Sequence, residues 1–206
     1  MGRKALFQRR EMSGAALRLV AERGPQAVTM ADVAREVGAP TGSIYHRYQS
    51  RDQLLAELWM DVVEGFQRGF IAALDRAHDL ESAVEAAGFM ASWARAHPLE
   101  TRVLLLHRRH DFVTGQWPAA LAERAAVLEP QLGQALRAYA QRACGGAGAE
   151  TMARLRFALL DAPFGGLKPY VQAGKPIPRA VDQLVAETAR AVLVTTVRFP
   201  RTGSVP

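Results

Sequence analysis

Apolar residues three and four positions apart recur along almost the whole chain, while strictly alternating runs are scarce, so the pattern predicts an all-α protein. Met12, Ala15, Ala16, Leu19 and Val20 form the first stripe, and Gly24-Pro25 stops it. Thr29 then offers an N-cap with Asp32 as its capping-box-like partner, and Met30, Val33, Ala34 and Val37 make a second, short stripe. Gly38-Ala39-Pro40 breaks that helix, and Thr41 to Tyr48 forms a third with Ile44 pointing inward. Ser50 caps a fourth helix that carries Leu55, Leu58, Trp59, Val62 and Phe66 and runs to about Leu74. Roughly 25 residues at 1.5 Å each would span almost 40 Å, far past a small N-terminal bundle.

Further helices are expected at 80–96, 99–110, 118–142, 149–172 and 178–198, separated by His97-Pro98, Gly115 to Pro118, Gly145-Gly146 and Gly174 to Pro178. The 149–172 segment has two apolar faces, one with Met152, Leu155 and Leu159 and another with Phe157, Leu160, Asp161 and Phe164. A helix apolar on two sides has to be covered on two sides. The last helix adds Val181, Leu184, Val185, Thr188, Val192 and Thr195. Together these helices suit a self-complementary four-helix interface between two copies of the chain, with Leu155, Leu159, Leu184, Val185, Thr188 and Val192 as the expected dimerisation residues.

Thr29 to Leu55, TMADVAREVGAPTGSIYHRYQSRDQLL, holds the chemistry. Small Ala34 lets two helices approach, Gly38 permits a tight turn, and Val33, Val37 and Ile44 hold the second short helix steeply against the first. That is the pattern of a helix-turn-helix. Its second helix would present Thr41, Gly42 and Ser43, whose short side chains and free backbone N–H groups suit base edges and phosphates in a major groove, followed by Tyr45, His46 and Arg47. A structural three-helix bundle would need none of that exposed trio. The expected architecture is an N-terminal three-helix, homeodomain-like helix-turn-helix domain over 1–52 and a C-terminal helical bundle over 53–206, with the boundary inside the fourth helix.

The motif resembles the DNA-binding domain of the tetracycline-repressor (TetR) family of bacterial regulators. The match runs through Met12-x-x-Ala15-Ala16, Glu22-x-Gly24, Thr29-Met30-x-x-Val33-Ala34, Gly38-Ala39-Pro40-Thr41-Gly42-Ser43-Ile44-Tyr45 and Ser50-Arg51-Asp52-x-Leu54-Leu55, about a quarter of the chain. The resemblance implies that Thr29 bonds a phosphate at its helix start, that Thr41, Gly42 and Ser43 face the groove, and that Tyr45 and His46 bond backbone phosphates. It places Arg51 where the family has a phosphate-binding lysine. Pro40 stands where a hydroxyl residue often caps the recognition helix, a departure that Pro tolerates at a helix start, and Arg binds phosphate at least as well as lysine. The remaining helices would form a ligand-binding and dimerisation body. The implied partners are near-palindromic double-stranded operator DNA, a second copy of the chain and a small-molecule effector that relieves repression.

Composition changes this picture little. Hydrophobic residues make up 49% and charged residues 22% of the 206 residues, ordinary globular usage, so most of the chain should fold. A net charge of +6 favours polyanionic partners without requiring them. Cys144 is the single cysteine, so no intrachain disulfide forms. MGRKALFQRR lacks the apolar run of a signal peptide and no stretch suits a membrane span, so a cytoplasmic location is expected. Arg3, Lys4, Arg9 and Arg10 make a basic arm that either reaches DNA or stays solvated.

No G-x-S-x-G turn, phosphate loop or G-x-G-x-x-G motif occurs, so neither an enzyme nor a bound cofactor is expected. His107, His110 and Asp111 have metal-ligand spacing on one helix face, but no second cluster completes a site, and a solvated or pocket-lining surface is the alternative. Trp93, His97, Leu105, Phe112, Trp117, Phe157, Asp161, Phe164 and Tyr170 fall on faces expected to point inward, as core or as the lining of an apolar ligand pocket. Asp161 between Phe157 and Phe164 would need a partner if buried, supplied either by a ligand or by a neighbouring arginine or histidine.

Overall fold

In the computed structural model the backbone is described for residues 2–198 and side chains for residues 9–198. Helices follow one another as α1 (Gly2–Arg23), α2 (Met30–Glu36), α3 (Thr41–Tyr45), α4 (Arg51–Arg76), α5 (Leu80–Ala96), α6 (Pro98–Leu106), α7 (Arg109–Phe112), α8 (Ala122–Cys144), α9 (Ala149–Arg156), α10 (Ala162–Gln172) and α11 (Arg179–Leu193). No strand occurs among the described residues, in agreement with the all-α pattern. None of their helices is long and apolar enough to cross a membrane. The basic arm expected ahead of the first helix is backbone of α1 itself, and the side chains of Arg3 and Lys4 lie outside the described residues.

By contacts the chain divides into two compact units, residues 1–65 with 97–128 and residues 66–96 with 129–206. In the first unit α2 packs on α1 and α3, and α1 packs on α6. Its core includes Ala15, Ala16, Val20, Val33, Ile44, Leu55 and Met60, each without measurable exposure. Arg102 Nε donates to the Ala21 carbonyl at 2.9 Å, and Gln26 Nε2 donates to the Asp111 carbonyl at 2.7 Å, so α1 and the turn after it are bonded to α6 and α7. In the second unit α11 lies along α5 and packs on α10, around buried Leu155, Leu159, Leu167, Ala189 and Leu193.

Two expected helices are interrupted. The 99–110 segment splits because His107 and Arg108 take extended backbone, with φ −128° and −125°. His107, His110 and Asp111 therefore do not share a continuous helix face. Asp111 instead caps the start of α7 from inside its first turn, accepting the Arg108 N–H at 2.7 Å, while His110 Nε2 lies 3.2 Å from the Asp111 carboxylate. The 149–172 segment stays helical but takes a π turn at Phe157–Asp161, where the Ala162 N–H bonds the Phe157 carbonyl five residues back. Pro163 explains the wider turn, since it has no N–H to give the Leu159 carbonyl an ordinary helical bond.

That turn changes which residues face where. Ala158, Leu159 and Leu160 are buried, whereas Phe157 is 49% exposed and Asp161 lies on the surface 3.4 Å from Arg156. The inward placement expected for Phe157 and Asp161 is thus corrected, and Asp161, being exposed beside Arg156, has no buried charge that calls for a ligand or an inner partner. The dimerisation set divides in the same way. Leu155, Leu159 and Val185 are already buried within the single chain, at 0%, 1% and 4% exposure, and belong to its own core. Leu184 is exposed, and Thr188 and Val192 are half-buried.

Candidate nucleic-acid interface

Thr29 begins α2 as anticipated. Its hydroxyl accepts the Asp32 N–H at 3.1 Å and donates to Asp32 Oδ2 at 2.6 Å, and its own N–H donates to the same oxygen at 3.1 Å. This reciprocal box satisfies backbone donors that an uncapped helix start leaves open. Two bonds donated by Thr29, one from its hydroxyl and one from its backbone N–H, hold the Asp32 carboxyl below its ordinary range. The Thr29 hydroxyl proton is thereby committed inside the chain.

After α2 the chain turns at Gly38, whose φ of +65° is a left-handed conformation that a side chain would strain. Pro40 gives α3 its start, its carbonyl accepting the Ser43 N–H at 2.9 Å. Ile44 is buried completely and Tyr48 nearly so, the Tyr48 hydroxyl lying 3.1 Å from Ser13 Oγ on α1. These apolar anchors fix the opposite face of α3 outward. Thr41, Gly42, Tyr45, His46 and Arg47 are all exposed, Tyr45 by 53%, and Ser43 is half-buried. A large aromatic left half in water beside a histidine and an arginine is unfinished as a folded surface but suits a partner bearing phosphates.

Arg51 sits differently. Its Nε donates to the Val28 carbonyl at 2.7 Å and one Nη to the Pro25 carbonyl at 2.6 Å, while another Nη lies 3.6 Å from the Asp52 carboxylate. The guanidinium thus ties the start of α4 to the loop that delivers Thr29. Nearby, Glu57 is buried, accepting from Arg9 at 2.9 Å and Gln53 at 3.2 Å. Arg10 is exposed. Ser50 caps α4 by accepting the Gln53 N–H at 3.1 Å.

The residues proposed for a ligand pocket fall in both units. In the first, Leu105 and Phe112 are buried, His97 is exposed and Trp117 is half-buried under the Arg109 guanidinium at 4.6 Å. Phe112 packs with Trp59 at 5.0 Å and His107 at 6.1 Å between ring centres. Burial, and then the Arg102 charge, lower the His107 pKa against the opposing pull of Asp111.

In the second unit, Trp93 and Phe164 meet, but through a residue that the sequence placed on the α4 stripe and not in the pocket set. Phe66 lies 5.3 Å from Trp93, 5.5 Å from Phe164, 5.7 Å from Phe89 and 5.8 Å from Phe70. Gly69 makes this possible, since a Cβ there would come within 2.5 Å of the Phe89 ring. Beside Phe66 in sequence, buried Gln67 has an Oε1 without a hydrogen-bond partner. Phe66-Gln67-x-Gly69-Phe70, an aromatic pair one turn apart around a glycine, was the available sequence signal. Tyr170 is half-buried on α10.

The fold and this surface define a helix-turn-helix protein with an all-helical body. The family model for bacterial regulatory proteins of the tetR family matches residues 14–58. Over 71 residues the chain is 37% identical to the HTH-type transcriptional regulator BetI of Agrobacterium fabrum, a stretch covering 34% of this chain and 34% of that relative's own length. Among solved structures, a TetR family transcription regulator from Marinobacter aquaeolei covers 93% of this chain and 98% of its own, with a TM-score of 0.69 at 16% identity. The transcriptional regulator FadR from Bacillus subtilis, solved with stearoyl-CoA, covers 88% and 97% with a TM-score of 0.66 at 14% identity. Residues 14–58 thus match the DNA-binding segment of the tetR family, the chain matches only about a third of the length of the curated relative BetI, and the solved structures show that the rest shares their fold.

Proposed function

We propose that this chain is a DNA-binding transcription regulator that acts as a homodimer, represses from a near-palindromic operator, and is released by a small molecule bound in its second unit. The observation that carries this is the α3 surface, where Thr41, Gly42, Tyr45, His46 and Arg47 stand exposed on a scaffold anchored by buried Ile44 and Tyr48. Thr41, Gly42 and Ser43 enter the major groove and read base edges, while Tyr45, His46 and Arg47 bond flanking phosphates. Thr29 and Arg51 hold the entry to α2, and the remaining Arg51 N–H groups face phosphate as a secondary contact.

Homodimerisation uses Leu184, Thr188 and Val192 of α11 together with exposed Phe157 and Val194. Two heads then meet successive major grooves, about 34–36 Å apart or a multiple of that. The aromatic group around Phe66, Trp93 and Phe164 supports an effector site for an apolar molecule. That FadR holds stearoyl-CoA supports the same use of this fold. Release of DNA requires that the effector bind the DNA-incompetent arrangement more tightly, and a shift from 99:1 to 1:99 needs about 5.5 kcal/mol of differential affinity.

Selection of bound sequences from random duplex DNA by the purified full chain tests this directly. A palindrome with half-sites about one helical turn apart is the expected product. Tyr45→Phe combined with Arg51→Ala should weaken binding to all sequences, and changes at Thr41 or Ser43 should shift sequence preference. Absence of any enriched sequence, with salt dependence unaffected by the double variant, would overturn the assignment.

A further inference from the structure

Between the end of α4, the outer face of α5 and the first turn of α11, the second unit carries an open groove of about 650 Å³. Its floor is apolar and low: Ala73 and Ala86 are buried, Phe89 shows part of its ring, and Gly88 contributes no side chain at all. Its rim is cationic. Arg76, the last residue of α4, and Arg179, the first of α11, are both exposed. Among the described residues neither guanidinium has an ion-pair or hydrogen-bond partner. Arg95 is different, since it spends its charge on Asp182 at 2.8 Å.

The other ionisable groups on the rim are His78, whose Nδ1 lies 2.7 Å from the Arg76 carbonyl, and Glu85. Counting Arg95 and Asp182 as neutralised, two unpaired arginines face one carboxylate, so the rim is net positive. Arg179 also stands at the positive end of the α11 dipole, where a cation is disfavoured and an added anion would relieve it. A positively charged rim above a floor of alanine, glycine and a phenyl ring matches a molecule with an anionic head and an apolar body.

We propose that this groove binds an amphipathic organic anion, a carboxylate with an acyl or aryl body, its head facing Arg76 and Arg179 and its body lying over Gly88 against Phe89. The binding does not depend on the regulator reading, and it stands whether or not the chain holds DNA. Phe89 also connects the groove to the aromatic group of the second unit, its ring centre 5.7 Å from Phe66 and 6.2 Å from Phe70. A body pressed on Phe89 therefore bears on the rings proposed above as an effector site.

Isothermal titration of the full-length protein with octanoate, and with octan-1-ol as the uncharged counterpart, tests the proposal. Octanoate should bind saturably and more tightly than the alcohol. Combined Arg76→Gln and Arg179→Gln should weaken octanoate about tenfold and leave octan-1-ol within about twofold, as expected for two partly exposed charges. Glu85→Gln should tighten octanoate. Gly88→Leu should remove binding of both compounds, because a Cβ at Gly88 meets nothing within 4 Å and the larger side chain fills the groove without disturbing its neighbours. Octanoate binding that survives the arginine pair variant unchanged, octan-1-ol binding as tightly as the acid, or no saturable binding of octanoate would each overturn the proposal.

Discussion

The α2–α3 corner of the first unit and the helical body of the second leave opposite kinds of surface exposed. Around α3 the apolar anchors are fully buried, Ile44 at 0% and Tyr48 at 1%, and what remains outside is hydroxyl, imidazole, guanidinium and phenol. On the second unit Phe157, Leu184 and Val194 stay 49%, 60% and 57% exposed although the core beneath them is complete. A polar face on a finished scaffold suits a charged partner, and an apolar face on a finished core suits another apolar surface. The two regions thus call for partners of different chemistry.

Removing an anchor should break the first half of that contrast. Ile44→Ala should cost about 2–5 kcal/mol in chemical denaturation, the range for a truncated core side chain, and should loosen α3 to proteolysis after Arg47. A loss below 1 kcal/mol would mean that α3 is held by something other than its buried face. For the second unit, Gly69→Val should cost about 1–3 kcal/mol, since its Cβ would lie 2.5 Å from the Phe89 ring and force the aromatic group apart. Full stability in that variant would mean the rings rearrange freely.

The apolar half sharpens under Leu184→Arg with Val194→Arg. Sedimentation should show self-association weakened by about tenfold or more, with monomer stability within about 0.5 kcal/mol because both positions are exposed. Unchanged association would send the interface elsewhere.

The smallest effect concerns His107, whose pKa the fold lowers from 6.5, first through burial. The unfolded chain then binds the proton more readily, so this residue's contribution to stability is present above pH 6.5 and is lost as pH falls below it. The denaturation midpoint should drop between about pH 7.5 and pH 5.5, and His107→Gln should flatten that slope. An identical slope in the variant would assign the pH dependence to other groups.

Legibility in the sequence followed the range of the interaction. The Thr29–Asp32 box, the Gly38 turn, the Ser50 cap and the inward Ile44 were readable because each depends on residues within a few positions, where propensity and capping act. The α6–α7 break was not read, because it rests on extended backbone at His107 and Arg108 within an otherwise helical pattern. The faces of 149–172 failed at Pro163, whose missing N–H widens one turn and rotates Phe157 and Asp161 outward. A fixed period of 3.6 cannot anticipate that rotation.

By itself the sequence determined an all-helical chain, the positions of most helices and the polar face of a helix-turn-helix, because periodicity and caps are local physics. Only the tertiary structure decided which apolar residues the chain buries for itself, as with Leu155, Leu159 and Val185, and which it leaves exposed, as with Phe157, Leu184 and Val194. Tertiary structure alone also gathered Phe66, Phe89, Trp93 and Phe164, and turned the Arg51 guanidinium back onto the Pro25 and Val28 carbonyls. Those outcomes depend on packing between helices far apart in sequence, which no local pattern encodes.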